Sequence, residues 1–325
     1  MIRVHFTYRH VDKPWGGANN FIRAIKTELA HDDRFEYTDT VDPLCDIVFM
    51  NQLGKGPGGN GQRYKLAQVR RWKVEGRSIV VRAINLNCHA FRMGLRNMTL
   101  GWLHDRQTIA LLNLADFVIF QSAYQREFFL LAGYKGVQNR VIHNGASRFF
   151  WVDSPCAQTL DGQIRLVSST ASARETKRHD LIAKISLCDG VEVMHLGAWP
   201  EGLPSARVHL LGMQAREEML KTLAPAHFFL HPALNDPCPN AVFEALCAGL
   251  PIIYNPGPGS STEIIGQCGL PLDEPNLSIT VQQARSRYGE LRDQVLQNRH
   301  RFAIETATVG YRDIFLQLAN NTLAR

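Results

Sequence analysis

The chain has 325 residues, 45% hydrophobic and 20% charged, with a formal net charge of +6. That is apolar material for about two domains with full cores, and it excludes a disordered or fibrous chain. No apolar run is long enough to span a bilayer, and the N-terminus reads as a strand rather than a signal peptide. The seven cysteines lack CxxC spacing, which argues for reduced thiols in a cytoplasm and against a disulfide framework or a zinc site.

Taken in chain order, Ile2 to Arg9 predicts a strand, and Ala18 to Ala30 a helix with Phe21, Ile22, Ile25 and Leu29 on one face. Between them Gly16 and Gly17 allow close approach of a ligand to the backbone, just ahead of a helix N-terminus. Leu44 to Met50 has the continuous apolar character of a strand in a parallel, doubly covered sheet. The glycine-rich stretch from Gly54 to Asn60 lacks the Gly-Lys-Ser/Thr ending of a P-loop. Gln62 to Glu75 predicts a helix, Ser78 to Ala83 a strand, Trp102 to Leu114 a helix and Asp116 to Gln121 a strand. A helix from Ser122 and a strand from Arg140 to His143 follow. The polar, turn-rich stretch from Trp151 to Gly162 predicts a linker.

A second series runs through strands at Ile164 to Ser169, Val191 to Leu196, Val208 to Leu211, His227 to His231 and Pro251 to Tyr254, with helices between most of them. Ser278 to Leu323 reads as mostly helical. Such alternation predicts an α/β chain of two Rossmann-like, doubly wound parallel-sheet domains. The expected divisions are residues 1–152, 153–300 and a C-terminal helix over 301–325. His227 and His231 lie on one face of a predicted strand, about 13 Å apart by strand rise, too far for one metal. The basic clusters at Arg63 to Arg77 and Arg92 to Arg106 are solvated helix faces by default. A patch for an anionic membrane surface is the alternative, and no nucleic-acid module is recognisable.

The most informative segment is Asp236-Pro-Cys-Pro-Asn-Ala-Val-Phe-Glu244, continuing Ala-Leu-Cys-Ala-Gly-Leu-Pro251. It follows the apolar run from Ala226 to Pro232. Pro239 and Asn240 predict a helix start, with Asn240 as N-cap, and Gly249 and Pro251 its end. One acid, Asp236, then sits on the loop at a strand's carboxyl end, and Glu244 lies in the first turns of the helix. Unpaired N–H groups between them suit an anion, and carboxylates suit pairs of sugar hydroxyls.

This run resembles the acid-x7-Glu-Ala-x-Ala-x-Gly-x-Pro signature of retaining glycosyltransferases of the GT-B fold, in particular glycosyltransferase family 4, with Asp236 where that family usually has Glu and Cys247 at the second alanine. Two further stretches share the likeness: Ala115 to Ser122 with Val141 to Ala146, which are architectural, and Ser168 to Ile182, which resembles a phosphate-binding loop. The resemblance implies two domains facing across a cleft and a nucleotide-diphosphate sugar as donor. It implies that Glu244 holds the ribose and Asp236 the donor sugar. Amides around Cys238 to Ala241, those of Cys238, Asn240 and Ala241 with Pro239 among them as a contact without an N–H, would hold the diphosphate together with Lys177 and Arg174. Arg174 substitutes for an arginine the family places a few residues earlier. Gly16 and Gly17 match the glycine loop, Asn85 and His89 fall where a residue near the sugar is expected, and Glu263 matches a Gly-x-x-Glu-Ile-Val segment. Among these, Asp236, Asn85 and His89 are the catalytic candidates. No metal and no other cofactor is implied, since Asp-x-Asp does not occur. The acceptor, whether sugar, lipid or protein, is not specified, and the expected location is cytoplasmic or peripheral on a membrane. Two alternatives share the fold: a non-catalytic binding protein, and a sugar epimerase or phosphorylase.

Overall fold

The computed structural model describes residues 1–8, 17–38, 44–51, 64–86, 95–152, 160 and 162–323. The chain divides into two compact units. One takes in residues up to His143 (14–17 excepted) together with 307 onward; the other runs from Asn144 to Thr306.

The first unit holds β1 (Ile2–Phe6), α1 (Gly17–Leu29), β2 (Phe35–Thr38), β3 (Ile47–Met50), α2 (Leu66–Val74) and β4 (Ser78–Arg82). It continues through α3 (Leu95–Leu114), β5 (Phe117–Phe120), α4 (Ala123–Leu131) and β6 (Asn139–Val141). Its strands lie in the order β2-β1-β3-β4-β5-β6, all parallel. β3, β4 and β5 are buried along their whole length, as a sheet covered on both faces requires. The Ser122 hydroxyl accepts from the Gln125 N–H at 3.0 Å and so caps α4.

The second unit holds β7 (Ile164–Thr170), α5 (His179–Ile185), β8 (Val191–Gly197), β9 (Val208–Gly212), α6 (Arg216–Leu223) and β10 (Phe228–His231). Then come α7 (Asn240–Cys247), β11 (Ile252–Tyr254), α8 (Ser261–Ile265), β12 (Gly269–Pro271) and α9 (Leu277–Asn298). The parallel order is β12-β11-β10-β7-β8-β9. Alternation of side chains feeds two cores. Val167, Phe229 and Ile252 pack on the α7 face, while Leu166, Phe228, Leu230 and Ile253 pack on the other with α5 and α9. The chain from Asn144 is tied to the end of this unit: the Ala146 N–H donates to Phe302 O at 2.8 Å, and the Ile304 N–H to Ala146 O at 2.9 Å. The last helix, α10 (Ile304–Leu323), starts there. Its Tyr311 and Phe315 belong to the first unit, where they pack on Phe21, Phe49 and Phe35.

Two edge strands, β2 and β12, carry no pattern that predicted them. They are four and three residues long and exist by pairing with β1 and β11. Helix α3 begins at Leu95 rather than Trp102, because nothing in Leu95 to Gly101 stops a helix propagating backwards. No helix among the described residues is long and apolar enough to cross a membrane. The five described cysteines are free thiols.

Two glycines predict opposite outcomes on substitution by alanine. Gly197 ends β8 at φ 109°, and a Cβ there would collide with the Thr170 carbonyl at the end of β7. Gly197→Ala is expected to cost about 3 kcal/mol or more. Gly289 lies exposed inside α9 with open space around it, so Gly289→Ala is expected to stabilise by about 0.5–1 kcal/mol. Calorimetric melting of both variants checks the pair.

Candidate functional site

In the second sheet β7 and β10 are adjacent, and the connections run outward from them in opposite directions. This is the topological switch point of a doubly wound sheet, where loops at the strands' carboxyl ends part and leave a crevice. The loop after β7 carries Arg174 and a short 3-10 turn, Glu175–Lys177. The loop after β10 carries residues 232–239 and leads into α7. The two loops touch: the Leu234 N–H donates to Thr176 O at 2.8 Å.

Across this contact the Lys177 ammonium donates to Asp236 Oδ2 at 2.6 Å, with both side chains largely buried. The other carboxylate oxygen accepts from the Cys238 N–H at 3.2 Å. The Asp236 carbonyl accepts from both the N–H and the hydroxyl of Ser260, each at 3.0 Å. The residue before it, Asn235, is left-handed at φ 56° and donates its N–H to Pro258 O at 2.6 Å. Burial pushes the Asp236 carboxyl up, but Lys177, His231 and the hydrogen bonds outweigh it and hold it below its ordinary value. His231, at the end of β10, is buried, and burial brings its imidazole down to about 4 against the opposing pull of Asp236. It is neutral at pH 7, and its Nε2 has no hydrogen-bond partner.

Helix α7 starts at Asn240, with Pro239 as N-cap and no side-chain cap. This corrects the expected N-cap role of Asn240. As the first helical residue it accepts instead, from Asn144 Nδ2 at 2.7 Å. Asn144 also donates from Nδ2 to Cys238 O and from its backbone to Cys238 Sγ, both at 3.3 Å. The neighbouring Gly145 has no room for a Cβ, which would lie 2.6 Å from Ala303 O and Ile304 Cα. The Cys238 N–H is therefore engaged by Asp236, while those of Asn240 and Ala241 fall in the first turn, where a helix supplies no acceptor. Eight residues on from Asp236, Glu244 is half-buried on α7. Burial pushes its carboxyl up to about 7, opposed by Arg216. Arg216 opens α6, and its guanidinium lies 5.5 Å from the ring centroids of Phe149 and Phe150. At the far end of the helix, Arg299 donates from Nε and Nη2 to Cys247 O at 3.1 and 2.5 Å.

The structure thus brings Lys177, Asp236, Cys238, Pro239, Asn240, Ala241 and Glu244 to one edge of one sheet. Arg174 is exposed on the same loop as Lys177, and Glu263 is exposed on α8. It is Ser260, just before α8, that reaches Asp236. Asn85 lies in the first unit, half-buried in coil three residues past β4. Gly17 is the first residue of α1. Gly16 and His89 lie outside the described residues. Sequence reasoning missed Arg216 and Ser260, weighed His231 only as half of a metal pair, and read Asn144 only as architectural. It also missed the buried Arg82, which ends β4 with its guanidinium 4.3 Å from the Phe21 ring centroid and donates to Gln121 Oε1. Among the described residues no group of three or more His, Cys, Asp or Glu is placed to hold a metal ion.

This architecture is the GT-B fold. Sucrose-phosphate synthase from Thermosynechococcus elongatus superposes with a TM-score of 0.69 at 15% identity, covering 98% of this chain and 99% of that one. HepE of Anabaena, solved with UDP and glucose, gives 0.67 at 16% identity, over 97% and 99% of the two chains. WaaG, a glycosyltransferase involved in lipopolysaccharide biosynthesis, gives 0.62 at 16%, over 97% and 99%. Neither a family profile nor a curated protein sequence matches the chain.

The pH behaviour of Glu244 is a direct check on this electrostatics. Its folded-state value is raised from 4.5 to about 7, so the folded protein holds the proton more tightly than the unfolded chain. The stability this contributes is complete below 4.5 and is lost as pH rises through about 7. Glu244→Gln removes that loss, so its stability relative to the parent should rise by on the order of 2 kcal/mol between about pH 5 and about pH 8. Urea unfolding of both proteins across that range measures it, and a difference that does not move with pH would mean an ordinary carboxylate.

Proposed function

We propose that the protein is a retaining glycosyltransferase that moves a sugar from a nucleoside diphosphate donor, with uridine diphosphate sugars the first to test. The observation that carries this is the Lys177–Asp236 ion pair across the β7/β10 switch point, beside the N-terminus of α7. A cation, a carboxylate and first-turn N–H groups meet where doubly wound sheets bind nucleotides. Support for the donor class comes from HepE, whose structures hold UDP and UDP-glucose.

In this reading the donor diphosphate takes Lys177 from Asp236, and the freed carboxylate accepts hydroxyls of the transferred sugar. Lys177, Arg174 and the amides of Asn240 and Ala241 offset the charge that grows on the diphosphate as the bond from the anomeric carbon to its oxygen breaks. The acceptor oxygen bonds to the same face of that carbon and gives its proton to the departing phosphate oxygen, so no protein nucleophile and no metal are needed. Glu244 faces the ribose, and as an ionised acceptor it holds two hydroxyls better than when protonated. Asn85, His89, Gly16, Gly17 and Glu263 are proposed as further donor or acceptor contacts. The acceptor is an alcohol of a sugar, lipid or protein, and the basic helix α2 is a proposed contact with an anionic membrane.

Calorimetric titration with UDP and UDP-glucose tests the reading. Lys177→Ala should weaken UDP about 10- to 100-fold. Asp236→Asn should separate the two roles: it releases Lys177, so UDP binds at least as tightly, while sugar transfer or donor hydrolysis falls by about 100-fold or more. Donor binding without turnover in the parent would favour a non-catalytic binding protein, and no binding of any nucleoside diphosphate would sink the proposal.

A further inference from the structure

We propose that Arg178 is a positioning residue that locks the loop after β7 so that Lys177 presents its ammonium to an anion at the carboxyl edge of the second sheet. The inference rests on the reading of Lys177 as a diphosphate ligand. Arg178 stands at φ 53°, ψ 48°, between the turn that carries Lys177 and the start of α5. Left-handed backbone disfavours residues with a Cβ, and asparagine tolerates it far better than arginine. Among the described residues only Arg178, Ala206 and Asn235 stand at positive φ without being glycine. Two of the three flank the ion pair, Arg178 directly after Lys177 and Asn235 directly before Asp236. Left-handed backbone stands on both sides of one contact, and at Arg178, where the side chain disfavours it, tertiary bonds override local preference.

Those bonds come from the Arg178 side chain itself. Its Nε and Nη2 donate to Asp180 Oδ1 and Oδ2, both at 3.0 Å. Its Nη1 and Nη2 donate to Glu274 Oε2 and Oε1 at 3.1 and 2.6 Å. Asp180 belongs to α5 and Glu274 to the loop between β12 and α9, so one planar guanidinium joins three segments. Paired forks of this kind keep their worth where single surface ion pairs do not. Two carboxylates engage Nε, Nη1 and Nη2 of Arg178 and more than offset its single charge, so it is not itself the anion's ligand. Its effect falls on its neighbour. A lysine ammonium is a point charge on a flexible stem, and fixing the backbone beneath it removes part of the freedom that would be lost on binding.

Arg178→Gly separates the clamp from the fold, because glycine adopts the left-handed backbone without cost. The expected result in the free protein is amide exchange of residues 174–178 faster by about tenfold, with the rest of the unit and its melting point close to the parent. UDP affinity should weaken and the KM for donor rise by about 5- to 20-fold, with kcat within about threefold, the signature of lost ground-state binding. Glu274→Gln should move both readouts the same way by less. Unchanged exchange at 174–178 overturns the clamp, whatever the ligand result. Faster exchange with unchanged UDP affinity overturns the positioning role, and so does a loss of protection spread over the whole unit with donor and acceptor KM rising alike. If the parent binds no UDP, the donor reading fails separately, and pyrophosphate replaces UDP as the probe of whether the lock serves an anion.

Discussion

The ion pair between Lys177 and Asp236 is the constraint around which the second unit is arranged. It exists because β7 and β10 are neighbours although 57 residues lie between their closest ends in sequence, Thr170 and Phe228 (58 positions apart by number). A largely buried ion pair is stable only when its remaining atoms are also satisfied. Here the second Asp236 oxygen has the Cys238 N–H, and the loop beneath is held by Ser260 and by the Leu234–Thr176 bond. The pair is therefore built on strand ends and backbone bonds rather than on two mobile side chains. It leaves a cation and an anion next to each other at the carboxyl ends of two adjacent strands.

Helix α7 is held at both ends by residues far from it in sequence. Asn144 fixes the first turn through Cys238 and Asn240, and Arg299 takes the last carbonyl while its guanidinium lies 4.2 Å from the Trp151 ring centroid. Between them Val242, Phe243, Ala245 and Leu246 are buried in the core. A site placed on such a helix keeps its geometry better than one on a free loop.

The two acids of the motif are driven apart electrostatically. Asp236 is held ionised by the cation against it, whereas burial pushes Glu244, with Arg216 as its opposing charge, up to about 7. Environments that separate two carboxyls in this way assign them different tasks. Lys177 and His231 hold the Asp236 carboxyl below its ordinary value, while burial moves that of Glu244 up to about 7.

The long apolar strands and the helices between them were legible in the sequence, because strands buried on both faces must be apolar throughout and that pattern is local. The helix that follows Asp236 and carries Glu244 was legible for the same reason, since a proline, an asparagine and a closing glycine bound α7 within a dozen residues. The edge strands β2 and β12 were not, since pairing with a neighbour defines them more than their own residues do. Nor was the role of Asn240, which reads as a cap until Asn144 takes its carboxamide. His231, Arg216 and Arg178 carried no signal, because a buried imidazole, a cation facing Glu244 and a left-handed arginine all depend on partners from distant segments. What the sequence by itself determined is the buried strands, the helices between them and the residue types at the loop ends. Only the tertiary structure decided which loop ends meet and what charge each acid holds, because strand order and desolvation are properties of the assembled sheet.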